Sequence, residues 1–171
     1  MVHAKSLRVI GQSLEAARVE AFELEKYDEY YVVWSNCLTE AGEWILKNAL
    51  SNGDLFAQRR RESTGNRTFC FRPADITRLD AQSQKKRTNH SSAHMQASKL
   101  LSQRLRTLGD HLDRTEVRTF HISWTPDCVS IDYQGPDGQR DLRTFTAEKL
   151  QQLSLHTRFR RSYRHVLAPK I

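Results

Sequence analysis

The sequence predicts an α+β fold: an internal duplication of an αβββα unit, an antiparallel three-stranded meander flanked by helices, with a helical insertion in the first copy. Three observations carry this. "LRVIGQSL" at residues 7–14 returns 98 positions later as "LRTLGDHL" at residues 105–112. The apolar residues that follow keep one spacing in both places, helical at first and then alternating. A second pair of blocks, "FRPADITRLDAQSQKKR" (71–87) and "FTAEKLQQLSLHTRFRR" (145–161), matches at an offset of 74, so the first copy holds 24 extra residues between about Ser35 and Phe69. The first copy then spans residues 1–87 with an insertion near 36–66, residues 88–100 connect, and residues 101–171 form the second copy with a basic tail.

The elements follow in chain order. Leu7, Ile10, Leu14 and Ala17 recur at helical spacing, as do Leu101, Leu105, Leu108 and Leu112. Gly11 and Gly109 sit inside these helices, where glycine costs roughly 1 kcal/mol relative to alanine. That cost at matched places predicts a close packing contact near a pseudo-twofold axis. "VEAFELEK" and "VRTFHISW" alternate apolar and polar residues and read as half-buried strands. "YDEY" and "TPDC" supply turns. "YYVVWS" and "VSIDY" are second strands, and "QGPDGQR" turns the second copy into a third, "DLRTFT". Pro73 suits the first turn of a closing helix, and Thr146 caps its counterpart.

The insertion has its own pattern. "TEAGEWILKNALSNG" reads as a helix starting at Thr39 and stopping at Asn52–Gly53, with Trp44, Ile45, Leu46, Ala49 and Leu50 on it. Matching the copies puts Tyr31 and Val33 on the core face and Tyr30, Val32 and Trp34 on the other, where the second copy has Ser130 and Asp132. The expectation is that the inserted helix covers this apolar outer face and buries Trp44 against Tyr30 or Trp34, or that these residues form a subunit interface. Between the insertion and the third strand, "RRRESTGN" is a polar loop. "KKRTNHSSAHMQASK" (85–99) joins the copies, its second half extending the following helix from a Ser91 or Ser92 cap.

Composition bounds the partners. The formal net charge is +7 and the pI about 9.6. The charge is uneven: residues 1–58 hold five Lys and Arg against nine acids, whereas Ala81–Gly109 and everything after Glu148 hold no acid. Lys85, Lys86 and Arg87 end one closing helix, and Arg158, Arg160, Arg161 and Arg164 end the other. Such asymmetry points to a polyanionic partner, DNA or RNA. A helix dipole accounts for one or two terminal cations, but less well for a run of three. No apolar run approaches the roughly 20 residues of a membrane helix, so no membrane partner is expected. The start lacks a secretory pattern, and three scattered cysteines, Cys37, Cys70 and Cys128, predict a reducing, cytoplasmic setting without a disulfide framework.

Catalytic signatures fail on inspection. His90 and His94 share a helical spacing, but no cysteine or carboxylate nearby in sequence completes a metal set. Cys128 and His121 are the one conceivable nucleophile pair across a hairpin, yet Cys128 lies in a core-like strand. "PDCVSIDYQ" begins like a PD-(D/E)xK nuclease, but Gln134 stands where that pattern needs lysine. No phosphate-cradling loop, dinucleotide fingerprint or serine-hydrolase elbow occurs. The sequence assigns no catalytic residue, cofactor or metal, and leaves an enzyme with an unrecognised pocket as a third reading, which a partly apolar pocket with convergent polar groups would support.

The αβββα order is similar in topology to that of double-stranded-RNA-binding domains. Pro73–Ala74–Asp75 and Ala147–Glu148–Lys149 lack the lysine motif that opens the second helix of that family, so no residue role carries over. The sequence therefore predicts a non-enzymatic nucleic-acid-binding protein that contacts phosphates through basic helix ends, without sequence readout. The alternative is an interaction or scaffold protein, dimeric through Tyr30, Trp34 and Trp44.

Overall fold

A computed structural model describes residues 2–35, 38–50, 67–89, 100–146 and 149; for residues 85–89 it describes the backbone alone. The order is α1 (Val2–Ala16), β1 (Phe22–Lys26), β2 (Tyr31–Ser35), α2 (Glu40–Ala49), β3 (Arg67–Phe71), α3 (Pro73–Asn89), α4 (Leu100–Arg114), β4 (Phe120–Trp124), β5 (Cys128–Gln134) and β6 (Arg140–Thr146). Among the described residues the fold is α+β, four helices with one six-stranded antiparallel sheet in the order β3-β2-β1-β4-β5-β6.

The sheet is centred on β1 and β4. Leu24 faces Ile122, Phe22 faces Trp124 and Lys26 faces Phe120. The Phe22 and Trp124 rings stack at 5.8 Å and 6°, an offset arrangement that buries large apolar area. Outward from the centre, Leu24 pairs with Val33 and Val33 with Phe69, while Ile122 pairs with Ile131 and Ile131 with Arg143. Period-two alternation sends Phe22, Leu24, Phe120, Ile122, Trp124, Val129, Ile131 and Tyr133 to one face. There they share a core with Leu7, Ile10 and Leu14 of α1 and Leu105, Leu108 and Leu112 of α4.

α1 and α4 pack against each other across small residues. A Cβ at Gly11 would stand 2.7 Å from the Ser102 Cα, and one at Gly109 would stand 2.5 Å from the Ala4 Cα. Both helices thus approach where they lack a side chain, as the mid-helix glycines predict. Each also holds the start of the other. Glu15 accepts the Ser102 amide at 2.9 Å, and Asp113 accepts the His3 and Ala4 amides at 3.0 and 3.1 Å. Orphan first-turn donors are satisfied by a carboxylate from the neighbouring helix, beside the positive end of the dipole. Both helices end alike: Val19 N–H reaches the Leu14 carbonyl and Val117 N–H the Leu112 carbonyl, through Arg18 and Glu116 in the left-handed region at φ 55° and 53°.

The inserted helix is not where the sequence predicts. Thr39 does cap it, its hydroxyl accepting from the Gly42 amide at 3.1 Å. Yet α2 lies with α1 on the helical side: a Cβ at Gly42 would meet the Ala17 carbonyl at 2.4 Å, and Leu46 and Leu50 enter the core. Trp44 is 69% exposed and Leu46 is 1% exposed. The expected burial of Trp44 against Tyr30 or Trp34 within the chain does not occur. Residues two apart on a helix point about 200° apart, so only one of Trp44 and Leu46 faces inward, and it is Leu46. The helix also stops earlier than predicted: it ends at Ala49, with Leu50 already extended at φ −111° and ψ 135°, ahead of Asn52–Gly53, which lie outside the described residues, as does the Ser91 or Ser92 cap. At the far end of β6 the Thr146 hydroxyl accepts from the Lys149 amide at 3.4 Å, the contact a cap there makes. No helix among the described residues is long and apolar enough to cross a membrane.

Candidate functional site

The basic end of α3 starts from a firm anchor. Asp75 accepts the Arg72 amide at 3.3 Å and pairs with Arg78, which also donates to the Ala49 carbonyl at 2.6 Å. Ile76 enters the core. Asp80 pairs with Arg8 and, at 3.2 Å, with Lys5, tying α3 to α1. Burial pushes the Asp80 carboxyl up, but Arg8 and Lys5 outweigh it and hold it below the ordinary carboxylate range. Past this anchor Ser83 and Gln84 bond back to Asp80 of their own helix. Lys85, Lys86 and Arg87 fall on the turns that follow. Arg158, Arg160, Arg161 and Arg164 lie outside the described residues, as do His90 and His94.

Charge is partitioned between the described body and the rest. The described residues hold 18 Lys and Arg against 17 Asp and Glu, a net +1 of the chain's +7. Many of these cations are engaged inside the chain. Lys47 and Arg67 pair with Glu43, Arg140 with Asp132, and Arg143 with Asp141. The remaining positive charge belongs to residues 51–66, 90–99, 147–148 and 150–171.

The sheet face turned away from α1 and α4 holds a polar cluster that the sequence reading missed. Glu23 accepts the Trp34 indole N–H at 2.6 Å, and the same oxygen lies 3.4 Å from His121 Nε2. The Trp34 and His121 rings are 5.9 Å apart. His121 pairs in register with Asp132, whose carboxylate takes two Arg140 Nε contacts at 2.7 and 3.0 Å; that bond holds Asp132 below the usual range. Glu25 accepts from the Tyr27 hydroxyl at 2.7 Å, and Tyr27 stacks on Tyr30 at 5.2 Å. Each residue was visible as an outward strand position. What joins them is the β1–β4 pairing, for which no local signal exists.

Trp34 is 8% exposed and committed to Glu23 and His121, and Tyr30 is half-buried against Tyr27. Neither ring lies open as a base-stacking platform. Trp44, on the helical side, is the open one of the three interface candidates.

A buried polar chain sits at the start of α1. His3 Nε2 lies 2.9 Å from the Val117 carbonyl, so Nε2 carries the proton and Nδ1 accepts from the Tyr31 hydroxyl at 3.1 Å. Burial, against the pull of the Val117 carbonyl and Asp113, lowers the His3 pKa. Burial pushes the Tyr31 phenol up to about 12. This is a neutral, satisfied network. His111 differs: its Nε2 is buried without a hydrogen-bond partner. Burial, with the Arg143 and Arg114 charges, lowers its pKa.

Chemistry for turnover does not assemble among the described residues. His121 faces Asp132, whereas Cys128 lies four residues along β5, about 13 Å away at strand rise; Cys128 pairs with Thr146 instead. Asp127 is in the turn and Asp132 is occupied by Arg140. Among the described residues no group of three or more His, Cys, Asp or Glu converges as for a metal. A cleft of about 650 Å³ beside the β5–β6 turn is lined by Arg114, Glu116, Tyr133, Asp137, Arg140 and Asp141, with the Tyr133 hydroxyl donating to Asp141 at 2.8 Å. No family model, curated protein or solved structure matches this chain.

Proposed function

We propose that this chain is a duplicated αβββα body whose basic segments bind a polyanion, in the first place nucleic acid, through phosphates and without sequence readout. The duplication reading is supported by contacts that recur at one offset. Gly11–Ser102 and Gly109–Ala4, Glu15–Ser102 and Asp113–Ala4, and Arg18 and Glu116 all exchange when 98 is added or removed. The Leu24–Ile122 pair maps onto itself and sits at the middle of the sheet.

The observation that carries the functional reading is the uneven placement of charge along the chain: residues 81–109 and everything after Glu148 hold no acid, and Lys85, Lys86 and Arg87 follow directly on the anchored part of α3. Lys85, Lys86 and Arg87 extend from an α3 held by Asp75 and Asp80, so this cluster is presented from a fixed base. The second cluster, Arg158, Arg160, Arg161 and Arg164, joins it as a further set of phosphate contacts. The acidic residues of the sheet face, Glu23, Glu25 and Asp132, favour phosphate contact elsewhere.

The test is a salt titration of binding to mixed-sequence single- and double-stranded oligonucleotides. Log affinity falls with log salt by about 0.9 per phosphate neutralised on duplex DNA and about 0.7 on single strands. Changing Lys85, Lys86 and Arg87 to Gln flattens that slope and weakens binding evenly across sequences. No binding tighter than about 10⁻⁴ M at low salt overturns the reading.

The exposed Trp44 favours a second reading, a protein-interaction or scaffold role with α2 as the contact, including contact with another copy of the chain. A loss of self-association in Trp44→Ala, with oligonucleotide binding absent, supports it over the first.

A further inference from the structure

The sheet ends differently on its two sides. β3 is five residues long, and α2 lies beside it through the Arg67–Glu43 pair. β6 is seven residues long, and among the described residues no strand pairs with its outer edge. It carries no proline, glycine or bulge to blunt that edge, and Leu142 on it is 67% exposed. An open edge of this kind is a template for another strand. Its charges decide which strand it accepts.

We propose that β6 pairs antiparallel with β6 of a second copy of this chain, about a twofold axis at Leu142, making one twelve-stranded sheet. To keep the helices of both copies on one side, partners across the new seam must point to the same face, which restricts the register to steps of two. Centring at Leu142 sets Leu142 against Leu142 on the open face. On the helical face it sets Asp141 against Arg143 twice, and Arg140 falls opposite Thr144. Centring at Arg143 opposes two arginines, and centring at Asp141 opposes two aspartates, both unfavourable on a strand pair. Centring at Thr144 leaves Arg143 facing Phe145. The strand is therefore self-complementary in one register. Asp141 already takes the Arg143 Nε–H at 2.8 Å within its own strand and the Tyr133 hydroxyl at 2.8 Å, which holds both charges at the edge where the partner meets them. On β3 the same operation about Phe69 opposes Arg67 and Phe71, with no charge match.

Sedimentation velocity on the full chain up to about 100 μM reads the outcome. The expected species is a dimer of about twice 19.9 kDa. Leu142→Lys opposes two cations at the axis and yields monomer; Leu142 is largely exposed in the single chain, so circular dichroism stays that of the parent, and melting matches the parent's at dilutions where the parent is monomeric. Arg143→Asp and Asp141→Arg each yield monomer, and the double exchange Asp141→Arg with Arg143→Asp restores the dimer. Hydrogen exchange at the β6 amides slows with concentration in the parent and not in Leu142→Lys. A monomeric parent overturns the proposal, as does a dimer that survives Leu142→Lys and both single charge changes, or one that the double exchange fails to restore. Trp44→Ala leaves this dimer intact, which separates the β6 seam from a contact through α2.

Discussion

Gly109 lies so close to Ala4 that a Cβ on the glycine would stand 2.5 Å from the alanine Cα. The obstacle is backbone, which cannot swing aside as a side chain does. Gly11 meets the Ser102 backbone in the same way at 2.7 Å. Alanine at either position gains about 1 kcal/mol of helix propensity, but it must push α1 and α4 apart, and overpacking costs about 1–3 kcal/mol. Gly109→Ala and Gly11→Ala should therefore melt below the parent in thermal or urea unfolding. A higher melting temperature in either would show that the helices have room to separate.

The carboxylates that close the helix starts should behave as caps supplied from a neighbour. Asp113→Ala strands the His3 and Ala4 amides, and Glu15→Ala strands that of Ser102. Losses of about 0.5–2 kcal/mol each are expected. Glu15 and Asp113 serve opposite ends of the helix pair, roughly 17 Å apart by helix rise, so the double variant should lose the sum within about 0.5 kcal/mol. A strongly non-additive result would mean that the two caps are not independent.

Stability should fall as the solution is acidified through the histidine range. The folded-state pKa values of His3 and His111 are lowered, chiefly by burial. Below the unfolded value near 6.5 the unfolded chain takes up protons that the folded chain refuses. The stability these neutral rings permit is thus present above about pH 6.5 and lost as pH falls below it. His111→Phe removes one such ring together with its unpartnered buried nitrogen. Melting curves between about pH 7 and 5 should show a shallower decline for the variant; parallel declines would assign the pH dependence elsewhere.

Trp44 and Leu46 offer a direct comparison on one helix. Leu46→Ala opens a cavity in the core and should cost about 2–5 kcal/mol. Trp44→Ala touches an exposed residue and should change the stability of the isolated chain by less than about 0.5 kcal/mol. A large loss of monomer stability in Trp44→Ala would mean that α2 buries its other side.

Much of the local structure was legible because periodicity is local. Leu7, Ile10 and Leu14 mark a helix whatever lies beside them, and Phe22–Leu24 or Phe120–Ile122 mark a strand's inner face. The start of α2 near Thr39, the first-turn place of Pro73 and the packing role of Gly11 and Gly109 were readable for the same reason. The polar cluster of Glu23, Trp34, His121 and Asp132 was legible only by halves, because the predicted turns bring Glu23 to Trp34 and His121 to Asp132, whereas nothing local marks β1 as the neighbour of β4.

What the sequence determined by itself is which residues share a face: the strand alternation and the helix stripes. Only the tertiary structure decided what each face meets. It joined β1 to β4, set Glu15 and Asp113 each at the start of the other's helix, and turned Leu46 rather than Trp44 to the core. The reason is that hydrophobic burial depends on area and not on direction. A stripe of apolar residues states that it must be covered, and close packing of backbones and side chains selects the element that covers it.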